Sequence, residues 1–407
     1  MSPASSFTGL LVLWLAAAIA YQIASQVALA RFLGRRRNPV RPLPTCTILR
    51  PLRGANSQTE ANLDRLLAIG APVVIGVEDT GDAAVDAARR AAERHPTTRM
   101  TLCIGPAPDG LNRKVANLSR MLKEARGEIV IVTDGDVATP HGYLESVLAP
   151  FEDPDVGLAT CPYRSVGGTS LAERVDVLLT NTGFLPSVAV AERLEGARFA
   201  LGATIAVRRT ILDAVGGFAP LADLLADDHA LAARVIEAGH RTVLVPLLLD
   251  HHVDRAGIGD VWRRHIRWAR TMRSVRPGGY AGTLVTHGLA PASALATIGG
   301  AAGIGAALMW LLVRTGGVFI LRRQLKLKPR DLLLLPAADL LALALYFGGF
   351  MGRTVHWGGA RLSISRKGRI RSSRIAAPHS AARFESAGRP EGVPNPAIDE
   401  PFGTGPT

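Results

Sequence analysis

Ile129-Val-Ile-Val-Thr133, followed at once by Asp134-Gly-Asp136, is the stretch on which the fold of this chain turns. A run of β-branched residues with no polar alternation reads as a strand buried on both faces, the kind found inside a parallel sheet. The strand ends on two carboxylates at alternate positions, with Gly135 leaving room for close approach. Alternate carboxylates on an extended chain hold a divalent cation together, directly or through water. Mg²⁺ and Mn²⁺ are hard cations that bind both carboxylate and diphosphate oxygens. A plain acidic turn has the same three letters, so the triplet gains its meaning from the apolar strand before it.

Working outward, strand-like and helix-like segments alternate from Thr45 to about Arg241. Strands are expected at Thr45–Leu49, Val73–Val77, Met100–Ile104, Ile129–Thr133, Gly157–Thr160 and Thr242–Val245. Helical stretches at Thr59–Ile69 and Asp82–His95 separate the early ones, and Asn112 is placed to cap a helix running to Ala125. Such alternation predicts an α/β domain with a mostly parallel sheet, its ligands gathered at the carboxyl ends of the strands.

Four further places carry chemistry. Asp79 follows the apolar strand Val73–Val77, where a carboxylate accepts hydrogen bonds from a base or ribose; Glu78 and Asp82 are alternative acids there. Asp227 and Asp228, in Leu224-Leu-Ala-Asp-Asp-His229, open a helix through Glu237. They suit that amino terminus as caps, and Asp228 equally suits the role of a general base for an attacking hydroxyl. Its like-charged neighbour and a partly dry site would raise its pKa toward that task. Val261–Arg273 sets Val261, Trp262, Ile266, Ala269 and Met272 at helical spacing among five arginines. It reads as an amphipathic interfacial helix whose Arg264 and Arg267 are able to clamp a diphosphate, with Trp268 bracing them or packing on an acceptor. Lys114 is a further phosphate contact or a plain surface lysine. His251-His252 is not expected to form a metal pair, since neighbours on an extended chain point apart.

The composition sets the setting. The chain has 407 residues, of which 48% are hydrophobic, with a net charge of +13 and a mean hydropathy of +0.19. Only 5% are aromatic, and no nucleic-acid recognition module accompanies the charge. The basic residues instead flank apolar blocks, at Arg35-Arg36-Arg37, Arg322 to Arg330 and Arg366 to Arg374, which suits anionic lipid headgroups. Cys46, Cys103 and Cys161 have no metal-like spacing and read as reduced core thiols.

Residues 1–34 form a transmembrane anchor, since Phe7 to Leu33 is long enough to span a bilayer. It lacks the leading positive charge of a cleaved signal. The arginines after it place the next domain, 40–280, in the cytoplasm. Residues 281–352 hold two further apolar blocks, Leu284–Val313, broken at Gly299-Gly300, and Leu332–Phe350. One crossing per block violates the positive-inside pattern at Arg322–Arg330; two crossings in the first block violate it after Arg361. A re-entrant or interfacial segment removes the conflict. Residues 353–407 are a basic and then disordered tail.

The ordered set Asp79, Asp134-Gly-Asp136, Asp228 and Arg264-His-Ile-Arg-Trp268 resembles the acidic and (Q/R)xxRW series of inverting glycosyltransferases with a GT-A fold. Leu49-Arg-Pro-Leu-Arg-Gly54, Asn112-Arg-Lys-Val-Ala-Asn117, Cys161-Pro-Tyr163, Leu224-Leu-Ala-Asp-Asp228 and Trp357-Gly-Gly-Ala-Arg361 narrow the resemblance to the ceramide glucosyltransferase family, over roughly Thr45 to Arg361. The Leu-Ala-Asp-Asp run and the length resemble its bacterial hopanoid-associated members. The resemblance implies a UDP-sugar donor carrying N-acetylglucosamine or glucose, a Mg²⁺ or Mn²⁺ ion at Asp134 and Asp136, and a membrane lipid acceptor. That acceptor is a hopanoid polyol, or ceramide as the alternative. It implies that Asp79 contacts the uridine, Asp228 is the base, Arg264 and Arg267 steady the leaving diphosphate, and Trp268 helps shape the acceptor site. A processive polysaccharide synthase and a non-catalytic membrane-anchored nucleotide or lipid binder are the competing readings.

Overall fold

A computed structural model describes residues 3–35, 42–254 and 256–375, without the side chains of residues 3–5 and 372–375. Arg36, Arg37, the Arg374 side chain and the tail from Ala376 lie outside the described residues.

After helix α1 (Pro3–Leu33) the chain alternates as β1 (Cys46–Leu52), α2 (Thr59–Leu67), β2 (Val73–Val77), α3 (Ala83–Arg94), β3 (Met100–Ile104), α4 (Arg113–Met121) and β4 (Ile129–Thr133). These four strands are parallel, in the order β3-β2-β1-β4. Every residue of β2 and β4 is buried. Successive side chains of β4 go to opposite faces: Ile129 and Ile131 join the cluster under α2 and α3, and Val130 and Val132 join the one under α4. A β-branched run is tolerated here because both faces are covered.

The chain continues with β5 (Val137–Ala138), α5 (Tyr143–Leu148), β6 (Val156–Thr160), β7 (Tyr163–Gly167), α6 (Leu171–Leu179), α7 (Leu185–Glu195) and β8 (Thr204–Arg208). Then follow α8 (Arg209–Ala214), α9 (Asp227–Glu237), β9 (Arg241–Leu244) and β10 (Leu249–Val253). The main sheet has seven strands, β3-β2-β1-β4-β8-β6-β9. All six strands expected from sequence lie in it. The seventh, β8, stands between β4 and β6 and is antiparallel to both. A second sheet, β5-β10-β7, is a small platform beside the carboxyl edge of the first.

Helix α10 (Ile258–Val275) leads through α11 (Pro277–Gly282) into the apolar helices α12 (Leu289–Ile298), α13 (Gly300–Leu321) and α14 (Leu335–Phe350). The first apolar block is thus two helices, broken where the sequence places Gly299-Gly300. They lie so close that a Cβ on Gly303 would meet the Leu295 carbonyl oxygen. Three stretches, Ser6–Leu33, Gly300–Leu321 and Pro329–Phe350, are long and apolar enough to cross a membrane. Helix α1 packs on α7 through Ala28, Leu29 and Phe32 and on α12 and α13 through Leu11, Leu15 and Ala18. The chain then returns to the α/β domain as a three-stranded antiparallel sheet, β11 (Thr354–Trp357), β12 (Ala360–Ile364) and β13 (Ile370–Ile375). The sequence reading took this region for the start of the tail and foresaw no strand in it.

Candidate active site at the carboxyl edge of the sheet

Strand β4 ends by delivering Asp134 to the sheet edge. The turn that follows is held from beneath by Arg50 of β1. Its fully buried guanidinium donates to the carbonyl of Asp134 at 2.8 Å and to those of Asn62 and Val137. Burial lowers the Arg50 pKa to about 10. Gly135 leaves room for the Leu52 side chain, since a Cβ there would lie 2.6 Å from its terminal methyl and displace it.

Helix α4 begins at the Asn112 cap foreseen from sequence, whose side chain accepts from the Val115 amide. The same side chain donates to the Leu224 carbonyl at 2.7 Å and to Asp227 at 3.3 Å. The start of α4 is thereby tied to the start of α9. Lys114, in the first turn of α4, points between them: its Nζ is 2.6 Å from Asp134 Oδ1 and 4.0 Å from Asp227 Oδ2. Burial works against the Lys114 charge, and Asp134 and Asp227 outweigh it, so its pKa rises above the lysine range. Burial also raises the pKa of Asp134, against the pull of Lys114.

Asp228 accepts from the Gly202 amide at 3.1 Å and from the His229 amide at 2.7 Å. Burial, with the negative charge of Asp227 second, pushes its carboxyl up to about 6. A Cβ added to Gly202 would sit 3.3 Å from Asp134, 3.4 Å from Lys114 Nζ and 3.7 Å from Asp228. Three side chains from three separate elements therefore converge on one glycine.

Asp136 stands exposed on the platform side, with Oδ2 3.2 Å from Nε2 of His251 on β10. Burial opposes both charges and the mutual attraction prevails, so the Asp136 pKa falls and that of His251 rises. His251 also meets Ser165 of β7 through Nδ1 at 3.4 Å. His252, the next residue on β10, has a buried Nδ1 with no hydrogen-bond partner among the described residues. His251 is the residue that sequence reasoning missed, since only the pairing of β10 with β5 brings it to Asp136.

Of the acids after β2, Glu78 pairs with Arg113 at 3.1 Å and Asp82 caps α3 while accepting from the Gly54 amide. Asp79 is exposed; its carboxylate accepts from the nearby Gly81 amide at 2.9 Å and its carbonyl from the Asp82 amide at 3.2 Å. It lies at the same sheet edge as Asp134, two strands away.

Helix α10 divides its arginines. Arg264 is held by Asp176 of α6, a carboxylate with no exposed surface, which also accepts from His265 Nε2 at 2.6 Å. Arg267 faces the acids: Tyr163, Asp134 and Asp228 favour its charge and burial opposes it, lowering its pKa overall. Its guanidinium also lies 5.7 Å from the centre of the Trp357 ring on β11. Trp268 stacks with Phe184 at 6.0 Å and meets Tyr163 at 6.4 Å and His265 at 4.9 Å, closing an aromatic wall. Phe184 reaches this wall from a π-helical turn, Thr180–Phe184. The carboxyl-terminal sheet supports the other side. The Ile370 amide donates to the Asp223 carbonyl at 2.8 Å and the Leu225 amide to Gly368 at 3.1 Å, fixing the loop that delivers Asp227 and Asp228.

The donor set fits a hard divalent cation incompletely. Asp134 and Asp136 offer oxygens on alternate residues, but no three of His, Cys, Asp and Glu form a ready cage among the described residues. The missing ligands are of the kind that a diphosphate supplies.

The model of glycosyl transferase family 21 matches residues 10–370. Among solved structures, the chain is similar to a mannosyltransferase from Pyrobaculum calidifontis, solved with GDP-Man and Mn2+. The two are 22% identical with a TM-score of 0.50, over 83% of this chain and 98% of the other. The chain also matches a glucosyl-3-phosphoglycerate synthase from Mycobacterium tuberculosis at 15% identity and a TM-score of 0.37, over 58% and 83% of the two chains. The fold is GT-A.

Proposed function

The chain belongs to glycosyl transferase family 21, and on that footing we propose that it moves N-acetylglucosamine or glucose from a UDP-sugar to a hydroxyl of a membrane lipid. A hopanoid polyol is the first acceptor to test and ceramide the second. The observation that carries this reading is the convergence of Lys114, Asp134 and Asp228 on Gly202. A cation for phosphate, a carboxylate that faces a metal, and a carboxyl tuned upward to about 6 are what a single displacement at an anomeric carbon requires.

Asp228 takes the proton from the acceptor hydroxyl, whose oxygen attacks the anomeric carbon from the face opposite the diphosphate and inverts it. A carboxyl with a pKa near the working pH serves this step better than a fully solvated one. Lys114 and Arg267 meet the charge growing on the departing diphosphate. Arg264, fastened to Asp176, keeps α10 and hence Arg267 in register. Asp79 receives the nucleoside, and the wall of Trp268, Phe184 and Tyr163 receives the acceptor. Asp134 and Asp136 would hold Mg²⁺ or Mn²⁺, which when bound neutralises diphosphate charge. The apolar helices and the basic residues beside them support attachment to the cytoplasmic face of a membrane.

The test is a screen on membranes bearing this chain, crossing UDP-glucose and UDP-N-acetylglucosamine with ceramide and a bacteriohopane polyol, with and without divalent metal. Mass spectrometry reads the products. One sugar added per lipid is the expected result. A polymer would point to a processive synthase, and no transfer by folded protein would remove the reading.

A further inference from the structure

Of the three apolar stretches long enough to cross a membrane, α14 has both of its approaches tied to the catalytic domain, and α13 its middle and its exit, while the turn before α12 is held by α1, whose Trp14 donates to the Leu284 carbonyl at 3.1 Å. We infer that neither α13 nor α14 crosses: with α12 they sink into one leaflet and return, so that the chain from Gly288 to Ile375 stays on the catalytic face. The inference rests on the membrane attachment proposed above and on neither donor nor acceptor.

Helix α14 is the clearest case. The turn that leads into it is fastened by Asp331, which accepts from Arg174 of α6 at 2.7 Å. Its far end is fastened by Arg273 of α10, which donates to the carbonyls of Phe350 at 2.6 Å and Gly352 at 2.8 Å. Between these ties the helix lies along α10, its Gly348 backbone against Trp262 and Ile266. Helix α10 carries Arg263, Arg264, Arg267, Arg270 and Arg273 and does not belong at hydrocarbon depth. A helix that runs beside it, with both ends on one polar domain, cannot set those ends on opposite sides of a hydrocarbon layer about 30 Å thick.

Helix α13 returns in the same way. Arg314, in its middle, donates to the carbonyl and hydroxyl of Thr182, in the π-helical turn of the catalytic domain, and pairs with Asp339. Residue 314 is therefore already at the level of that domain. The stretch from Gly300 to Val313 is about 20 Å long at 1.5 Å per residue, short of a crossing. Helix α12, which brings the chain in, has ten residues, or about 15 Å. Beyond α13, the Leu325 carbonyl accepts from Asn181 at 3.1 Å, and Lys326 pairs with Asp250 of β10 at 2.7 Å. Lys326 has a φ of +52°, alone among the non-glycine described residues in that region, so the return is held against a backbone preference.

The occupant of the exposed apolar face is a single leaflet. Leu333, in the turn before α14, and Leu340 and Phe347 on α14 recur at seven-residue spacing, and Leu308, Leu312 and Phe319 line α13, all exposed. Arg322, Arg323, Lys328 and Arg330 border this face and fit anionic headgroups. The arrangement puts these residues and the basic residues after Arg361 on one side, which removes the charge conflict that any count of full crossings creates.

Single cysteines settle it. Arg323→Cys, Arg366→Cys and Ala301→Cys are each made in the full chain and exposed to a membrane-impermeant maleimide. The reagent is applied to vesicles with the catalytic domain outward and to vesicles of the opposite orientation. The unaltered chain, with Cys46, Cys103 and Cys161, sets the background, and a melting transition matching that of the unaltered chain shows that each variant is folded. Arg323→Cys and Arg366→Cys are expected to label together, only with the catalytic domain outward. Ala301→Cys, at the hairpin tip, is expected to label in neither orientation until detergent is added. Labelling of Arg323→Cys from the face opposite Arg366→Cys, or of Ala301→Cys from either face, would overturn the inference. Release of the chain by alkaline carbonate would instead remove the membrane reading, and the inference with it.

Discussion

Lys114 and Asp134 form a 2.6 Å ion pair across the carboxyl edge of the main sheet, the amine supplied by the first turn of a helix and the carboxylate by the end of a buried strand. The pair has a neutralising role before any donor binds, since Asp227 and Asp228 stand on its other side. A diphosphate with its metal would have to exchange for part of it. The site is therefore prepared with one cation paired directly to a carboxylate, a second, Arg267, close by, and a surplus of carboxylate.

Replacing the paired cation exposes the surplus. Lys114→Met should fold but bind UDP at least about tenfold more weakly, the loss of one charge-assisted contact, with the largest effect at low metal. Calorimetric titration of UDP against metal concentration checks this. Unchanged affinity would mean that Lys114 serves the fold only.

Asp228→Asn should abolish transfer while stabilising the resting protein at neutral pH. Burial, with the charge of Asp227 second, holds the folded carboxyl at about 6, above the ordinary aspartate value of 3.8. The folded state therefore binds the proton more tightly, and the stability so gained is lost as pH rises from about 4 to 6. Above that range the charged group carries a penalty of up to about 3 kcal/mol, which Asn removes in part. Melting curves with chelator present should show the variant above the parent at pH 7.5 and no higher than it at pH 4.

The same group sets the pH profile of the reaction. A base must be unprotonated, so kcat/KM for the lipid acceptor should fall below about pH 6 while Asp79→Asn keeps that limb. A profile flat to pH 5 would exclude Asp228 as the base.

Asp176→Asn should lower kcat with little change in the KM for donor, because it frees Arg264 and His265 together and lets α10 shift. Cutting one partner from a buried ion pair costs about 3 to 5 kcal/mol, so the melting temperature should fall as well. The distinguishing readout is the kcat to KM split. A loss of stability with both constants unchanged would leave Asp176 with a structural role alone.

Gly202→Ala places a methyl group among Asp134, Lys114 and Asp228. The variant should keep its fold and lose transfer by more than tenfold, read as product per folded protein. Normal activity would mean that the reacting atoms pass elsewhere.

Much of this was legible in one dimension because the physics is local. A β-branched run cannot stand half in water, so β4 and its neighbours announced a covered sheet, and Asn112 announced the helix that carries Lys114. The order of acids along the chain pointed to residues that the fold gathers at one sheet edge, and Gly299-Gly300 marked a helix break that the structure contains. Strand β8 escaped notice because an antiparallel strand inside a parallel sheet has no pattern of its own. His251 escaped because its neighbour in the site lies 115 residues earlier, and Arg50 because a buried guanidinium beneath a turn looks like any other arginine.

The sequence by itself determined the elements, their apolar faces and the residue types at the sheet edge, since propensity, capping and burial act over a few residues. Only the tertiary structure decided which of two arginines one turn apart faces the acids. Arg264 turns to Asp176, a buried carboxylate on another helix, and Arg267 to the acids of the site. It also decided that the region after residue 353 becomes a sheet against the loop of Asp227 and Asp228. Such choices depend on desolvation and charge summed over distant segments, and no stretch of chain contains that sum.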